Sequence, residues 1–246
     1  MHPAISRPLQ GVGRLLLDFA LPPRCAGCAE VIDEVAAFCP DCWAKMEWLG
    51  NSGCQRCGLP LAGTEIETCG RCLADPPKLD RIRAAVAYDD LPRSIALKLK
   101  YGRKVALART MARYMANLQE PSIADSVIVP VPLHRWRLWG RGFNQSALVA
   151  RELSKAWGLP TQAGLLRRTK RTRPLKGLNQ IQRRKAVAGA FEATAPMRGK
   201  TVILIDDVFT SGSTAEACAR ALRKAGAGRI ELICWARVVR PAQLMR

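Results

Sequence analysis

Thr201-Val202-Ile203-Leu204-Ile205-Asp206-Asp207-Val208-Phe209-Thr210-Ser211-Gly212-Ser213-Thr214 passes from apolar to acidic to hydroxyl-rich within one short stretch of this 246-residue chain. Thr201 to Val208 is a near-continuous apolar run, the pattern of a parallel strand covered on both faces. A helix is predicted from about Thr214 to Ala225, stopped by Gly226, and Ile230 to Val239 reads as a second buried strand. Strand, helix and strand in that order make a right-handed crossover in a parallel sheet. The fold class is therefore α/β.

Such sheets bind ligands at the carboxyl ends of their strands, which is where Asp206 and Asp207 fall. Main-chain N–H groups of the turn, with the positive end of the following helix dipole, suit a phosphate, and Gly212 lets the backbone approach closely. Thr210, Ser211, Ser213 and Thr214 add hydroxyl donors. Carboxylates repel phosphate, so Asp206 and Asp207 are assigned to another part of the ligand: vicinal ribose hydroxyls or a magnesium ion bound with it. The plainer alternative, a solvated strand end with a Ser/Thr helix cap, explains the hydroxyls but not two acids closing a buried strand.

Upstream, Ile82 to Tyr88 and Val127 to Val131 read as strands, and Pro92 to Leu99, Val105 to Leu118 and Asn144 to Trp157 as helices. The last ends at Gly158 and Pro160. Asp75-Pro76-Pro77-Lys78 is a stiff linker. It divides an N-terminal module, 17–75, from the α/β domain, 78–246.

Eight of ten cysteines form four CxxC pairs: Cys25/Cys28, Cys39/Cys42, Cys54/Cys57 and Cys69/Cys72. Each recurs 29 or 30 residues later, so the module is an internal repeat. Two CxxC turns supply a tetrahedral four-sulfur shell, and the two repeats predict two zinc ions. Sequential pairing suits the repeat best, and an interleaved pairing of the first and third pairs is the alternative. Iron–sulfur or redox dithiol chemistry would use the same residues. With four sulfur ligands no coordination position stays open, so the zinc is structural. A module this small buries little core, and metal binding supplies its folding energy. Cys218 and Cys234 lie in apolar stretches and read as core.

There are 39 Lys and Arg against 20 Asp and Glu, a net charge of +19. Val131 to Lys200 holds 16 of the basic residues and only Glu152 and Glu192 as acids, so the charge is local and favours polyanionic partners. Leu15 to Leu21, interrupted by Asp18, is too short to span a membrane and reads as an amphipathic helix. No small-residue cleavage site follows it, and the protein reads as cytoplasmic, a reducing compartment in which ten cysteines do not form a disulfide framework. His134 to Phe143 interleaves arginines with Trp136, Trp139 and Phe143, which suits stacking on single-stranded nucleic acid; packing of the tryptophans beneath the sheet edge is the alternative. His134 has no evident partner in sequence. Arg167, Arg168, Lys170, Arg171, Arg173, Lys176, Arg183, Arg184 and Lys185 form a run without an acid, read as a mobile loop or a polyanion contact rather than a buried helix.

Val202 to Thr214 closely resembles the ribose 5-phosphate signature of type I phosphoribosyltransferases. The cysteine pairs, Leu99-Lys100-Tyr101-Gly102, Val129 to His134, Arg141 to Ser146 and Gly189-Ala190-Phe191, in this order, resemble the ComF family, which joins a double zinc ribbon to that fold. The resemblance implies that Asp206 and Asp207 contact the ribose of phosphoribosyl pyrophosphate, that Thr210 to Thr214 hold its 5′-phosphate, and that magnesium accompanies it. It places a pyrophosphate loop at Val131, Pro132, Leu133, His134 and Arg135, and a mobile loop at Arg167 to Lys185. Where relatives carry an Asn before the Gly-Ala-Phe block, this chain has Ala186. Two functions compete: a magnesium-dependent transferase that displaces pyrophosphate, and an accessory protein of DNA uptake that uses the fold as scaffold and engages single-stranded DNA or a helicase.

Overall fold

The computed structural model describes residues 22–61, 66–118, 126–172 and 177–239. They belong to two compact units, Met1–Lys45 and Met46–Arg246. The predicted helix at Leu15 to Leu21 lies outside the described residues. In the first unit, helix α1 (Pro40–Ala44) starts directly after Cys39 and buries Cys42. In the second, α2 (Gly70–Ala74) starts directly after Cys69 and buries Cys72, repeating the pattern. The second cysteine repeat shares its compact unit with the sheet, across the linker Asp75 to Lys78.

The sheet has four parallel strands in the order β1 (Arg81–Ala87), β6 (Arg229–Arg237), β5 (Thr201–Phe209), β2 (Ser126–Pro130). Strands β3 (Leu166–Arg168) and β4 (Phe191–Ala193) make a separate antiparallel pair. Because side chains alternate along a strand, Val202 and Leu204 point to one face and Ile203 and Ile205 to the other. The first face packs Val127, Val129, Ile230 and Leu232 against Ala215, Cys218, Ala219 and Leu222 of α8 (Ser213–Lys224). The opposite face is covered by α3 (Asp90–Tyr101), α4 (Leu107–Met115) and α6 (Gln145–Trp157), which bury Leu99, Met111 and Leu153. Helices on both faces explain why β5 carries almost no polar residue before Asp206.

Predicted and observed elements agree to within a few residues for β1, β2, β5, β6, α6 and α8. Three features were not anticipated. α5 (Arg135–Arg141) buries none of its side chains, so no apolar periodicity announces it. β3 and β4 are three residues each. α7 (Gln180–Val187) carries three of the basic-run cations, Arg183, Arg184 and Lys185, and is a surface helix opened by an Asn179/Gln182 capping box. Solvent exposure relieves the repulsion that would exclude such a helix from a core. Cys218 and Cys234 are fully buried, as expected of core thiols. No helix among the described residues is long and apolar enough to cross a membrane.

Candidate functional site

Adjacent strands bring two loops to one place. Pro130 lies opposite Ile205, and the Val131 amide donates to the Ile205 carbonyl at 2.9 Å. The segments Val131–Arg135 and Thr210–Thr214 therefore leave the carboxyl edge of the sheet side by side. Asn144 secures the first by donating from Nδ2 to the Val131 carbonyl at 3.0 Å while its Oδ1 caps α6 through the Ser146 amide.

The turn after β5 is shaped by Gly212, whose φ of 76° is left-handed. A Cβ there would also lie 2.9 Å from the tip of the Phe209 ring, so any other residue would be strained in its backbone and would push that ring aside. Gly212 is the N-cap of α8, and no side chain caps that helix among the described residues. The first N–H groups of a helix find no partner within it. Ser211 and Ser213 share a hydroxyl contact at 3.0 Å, and Ser213 is buried whereas Thr210 is exposed.

The two carboxylates have different surroundings. Asp206 is half-buried and accepts from the Ser146 hydroxyl at 3.1 Å and from the Asp207 amide at 2.9 Å. Burial, followed by the neighbouring Asp207 charge, pushes its carboxyl up to about 7, against the pull of Lys100 and of those two donors. Asp207 is buried and pairs with Lys100 Nζ at 2.5 Å. Burial works against the Lys100 charge, but the Asp207 carboxylate outweighs it and leaves the lysine pKa raised. One acid is thus committed to an ion pair, and the other is held near the point of ionisation. Lys100 and Ser146 received no role from sequence, since each reaches the acids only through the fold; the blocks Leu99-Lys100-Tyr101-Gly102 and Arg141 to Ser146 were the available signals.

Across the edge, His134 is buried and caps α5, its Nδ1 accepting from the Trp136 amide at 3.4 Å. Burial, then Arg135, Arg168, Arg171 and Arg137, depress its pKa. Arg137 donates to the Thr172 carbonyl at 3.0 Å, and the buried Arg168 of β3 donates to the Thr172 hydroxyl, so this part of the basic run is gathered next to Val131–Arg135. Arg183 of α7 comes within 3.5 Å of the Thr210 hydroxyl. Arg173 and Lys176 lie outside the described residues. Trp136 and Trp139 are 50% and 81% exposed, stacked edge-on at 6.0 Å. Neither packs beneath the sheet.

The cysteines gather as Cys25/Cys28/Cys39/Cys42 and Cys54/Cys57/Cys69/Cys72, which is the sequential pairing and excludes the interleaved one. Sulfur–sulfur distances of 3.6 Å for Cys28–Cys39 and 3.7 Å for Cys57–Cys69 match the roughly 3.8 Å edge of a zinc tetrathiolate tetrahedron. In each tetrad the first sulfur accepts from the amide of the third cysteine, at 3.3 Å for Cys25 and 3.4 Å for Cys54. Burial raises these two thiols, but several such amides outweigh it and bring both down to about 6, favouring thiolates. The donor set fits structural zinc.

The double zinc ribbon domain model matches residues 16–73 and the phosphoribosyl transferase domain model residues 142–243. Fold and cysteine sites together define a double zinc ribbon joined to a type I phosphoribosyltransferase-type sheet. The chain is 30% identical over 223 residues to the DNA utilization protein YhgH of Salmonella typhimurium, spanning 87% of this chain and 90% of that protein. It is 28% identical to Competence protein F of Haemophilus influenzae, over 88% and 91% of the two chains. The purine phosphoribosyltransferase of Pyrococcus horikoshii superposes with a TM-score of 0.33 at 17% identity, over 53% of this chain and 72% of that one. The protein belongs to the ComF family.

Proposed function

We propose that this protein binds phosphoribosyl pyrophosphate, or a related ribose phosphate, with magnesium at the edge shared by β5 and β2. The observation that carries this reading is the turn Thr210–Thr214: a left-handed glycine and uncapped helix amides beside an acid held near neutrality. The amides and hydroxyls of Thr210, Ser211, Gly212, Ser213 and Thr214 receive the 5′-phosphate. Asp206 accepts from the ribose hydroxyls. Asp207 joins it as Lys100 turns from the acid toward the ligand's phosphates. Val131, Pro132, Leu133, His134 and Arg135, with Arg137 and Arg168 beside them, face the pyrophosphate, where cations stabilise the charge of a departing group. Such a site would support a phosphoribosyl transfer in which pyrophosphate leaves as the sugar carbon develops positive charge. No residue is required as covalent nucleophile. A cytoplasmic setting accords with eight metal-binding thiols, and the module 17–75 and the domain 78–246 are assigned separate tasks, structural metal binding and ligand binding. Calorimetric titration of phosphoribosyl pyrophosphate with magnesium into wild type and Asp206→Ala/Asp207→Ala tests it: heat of binding in wild type and none in the double variant is expected, and equal affinity in both would remove the assignment.

A second reading is favoured by the exposure of Trp136 and Trp139. Two rings beside Arg135 and Arg141 form a stacking surface for single-stranded DNA, consistent with relatives named for DNA utilization and competence. Both roles fit an accessory protein of DNA uptake, with or without a helicase partner. Affinity for an oligothymidylate should fall steeply with salt, and a flat salt response would argue against this surface.

A further inference from the structure

We propose that Arg237 is a positioning residue linking the second cysteine tetrad to the turn Thr210–Thr214, so that metal held by Cys54, Cys57, Cys69 and Cys72 also fixes the shape of the turn. The inference rests on the ligand reading above for its binding consequence, but its structural part stands apart from it.

Contacts run in series from the knuckle to the turn. Arg237 ends β6 and is buried, and its guanidinium donates to the Cys57 carbonyl. Its Cζ lies 5.6 Å from the centroid of the Phe209 ring. Phe209 ends β5 directly opposite Arg237, and the Val238 amide donates to the Phe209 carbonyl at 3.0 Å. The tip of the ring, Cζ and Cε2, occupies the space that a Cβ on Gly212 would take. The ring therefore touches both a cation anchored on the knuckle and the left-handed residue that opens α8. Arg83, also buried, repeats the anchoring on β1: Nη1 donates to the Gln55 carbonyl at 3.0 Å and to the Cys54 carbonyl at 3.3 Å.

The metal matters because a knuckle this small buries little core and takes its shape from the ion that its four sulfurs hold. Without that ion the loop carrying the Cys57 carbonyl is no longer fixed, and a buried arginine is costly without its hydrogen-bond partner. Arg237 would then leave the Cys57 carbonyl, and Phe209 would lose the surface that holds it against Gly212.

Hydrogen exchange of the full zinc-loaded chain, read by mass spectrometry, tests this, with zinc content measured on the same samples. Arg237→Met is expected to retain two zinc ions and unchanged exchange in β2, while amides of 210–216 exchange about tenfold faster. Ribose 5-phosphate is expected to bind about tenfold more weakly. Arg237→Lys keeps the charge without the planar fork and should fall between. Two zinc ions with unchanged exchange at 210–216 would overturn the coupling. Should Arg237→Met not fold, Phe209→Leu must loosen the same amides with zinc retained, and unchanged protection there overturns it equally. A loosened turn in a protein that fails to bind ribose 5-phosphate even as wild type would keep the coupling and remove the ligand.

Discussion

Two loops leave neighbouring strands at one edge of the sheet with opposite chemistry. The turn after β5 is small, acidic and hydroxyl-rich, and is shaped by a left-handed glycine. The segment after β2 is basic and aromatic, and continues into a helix with no buried side chain. The first has the make-up of a pocket for one small polar ligand; the second spreads charge and rings over a surface that a long polyanion could follow. Adjacent loops can therefore divide recognition between a sugar and a chain of phosphates, and the division is testable loop by loop.

The largest expected effect separates them outright. Asp206→Ala/Asp207→Ala should abolish detectable ribose-phosphate binding yet leave oligothymidylate affinity within about twofold, because its targets face no nucleic acid surface. Trp136→Ala/Trp139→Ala should do the reverse, costing about 1–3 kcal/mol of single-strand binding per stacked base. Equal losses of both ligands in either variant would break the distinction. Next in size is Lys100→Met, which strands Asp207 as a buried carboxylate. With Lys100 partly exposed, a loss of about 2 kcal/mol in stability is expected by denaturant unfolding; no loss would show that Asp207 is not committed to that pair.

The smallest effect concerns Asp206. Its carboxyl titrates near 7 in the folded protein and near 4 when unfolded. The folded state thus holds the extra proton between those values, and stability contributed by the neutral acid is present below about pH 4 and lost as pH rises to about 7. Asp206→Asn should flatten this slope and stabilise the free protein by at least about 1 kcal/mol at pH 8, while weakening ligand binding. A variant less stable than wild type at pH 8 would contradict the assigned surroundings. Gain of stability with loss of binding is the behaviour of a functional site.

Legibility in the sequence followed locality. The β5 strand, its turn and α8 are consecutive, so the apolar run, acids and glycine could be read directly, and the CxxC repeats announced their metal equally well. Lys100 and Ser146 lie far in sequence from Asp206 and Asp207, and only the packing of α3 and α6 on one face brings them together. α5 was hidden because its pattern has no buried side, and the exposure of its tryptophans depends on what the neighbouring elements leave uncovered. Which cysteines share a metal needed the fold as well, since spacing allowed two pairings.

The most direct test of the sugar-phosphate turn is titration of ribose 5-phosphate into isotope-labelled, zinc-loaded protein, followed by amide resonances. Progressive, saturable shifts at Ser211, Gly212, Ser213 and Thr214, absent in Asp206→Ala/Asp207→Ala, are expected. Saturable binding that leaves those four amides unmoved would place the ligand elsewhere and contradict the account.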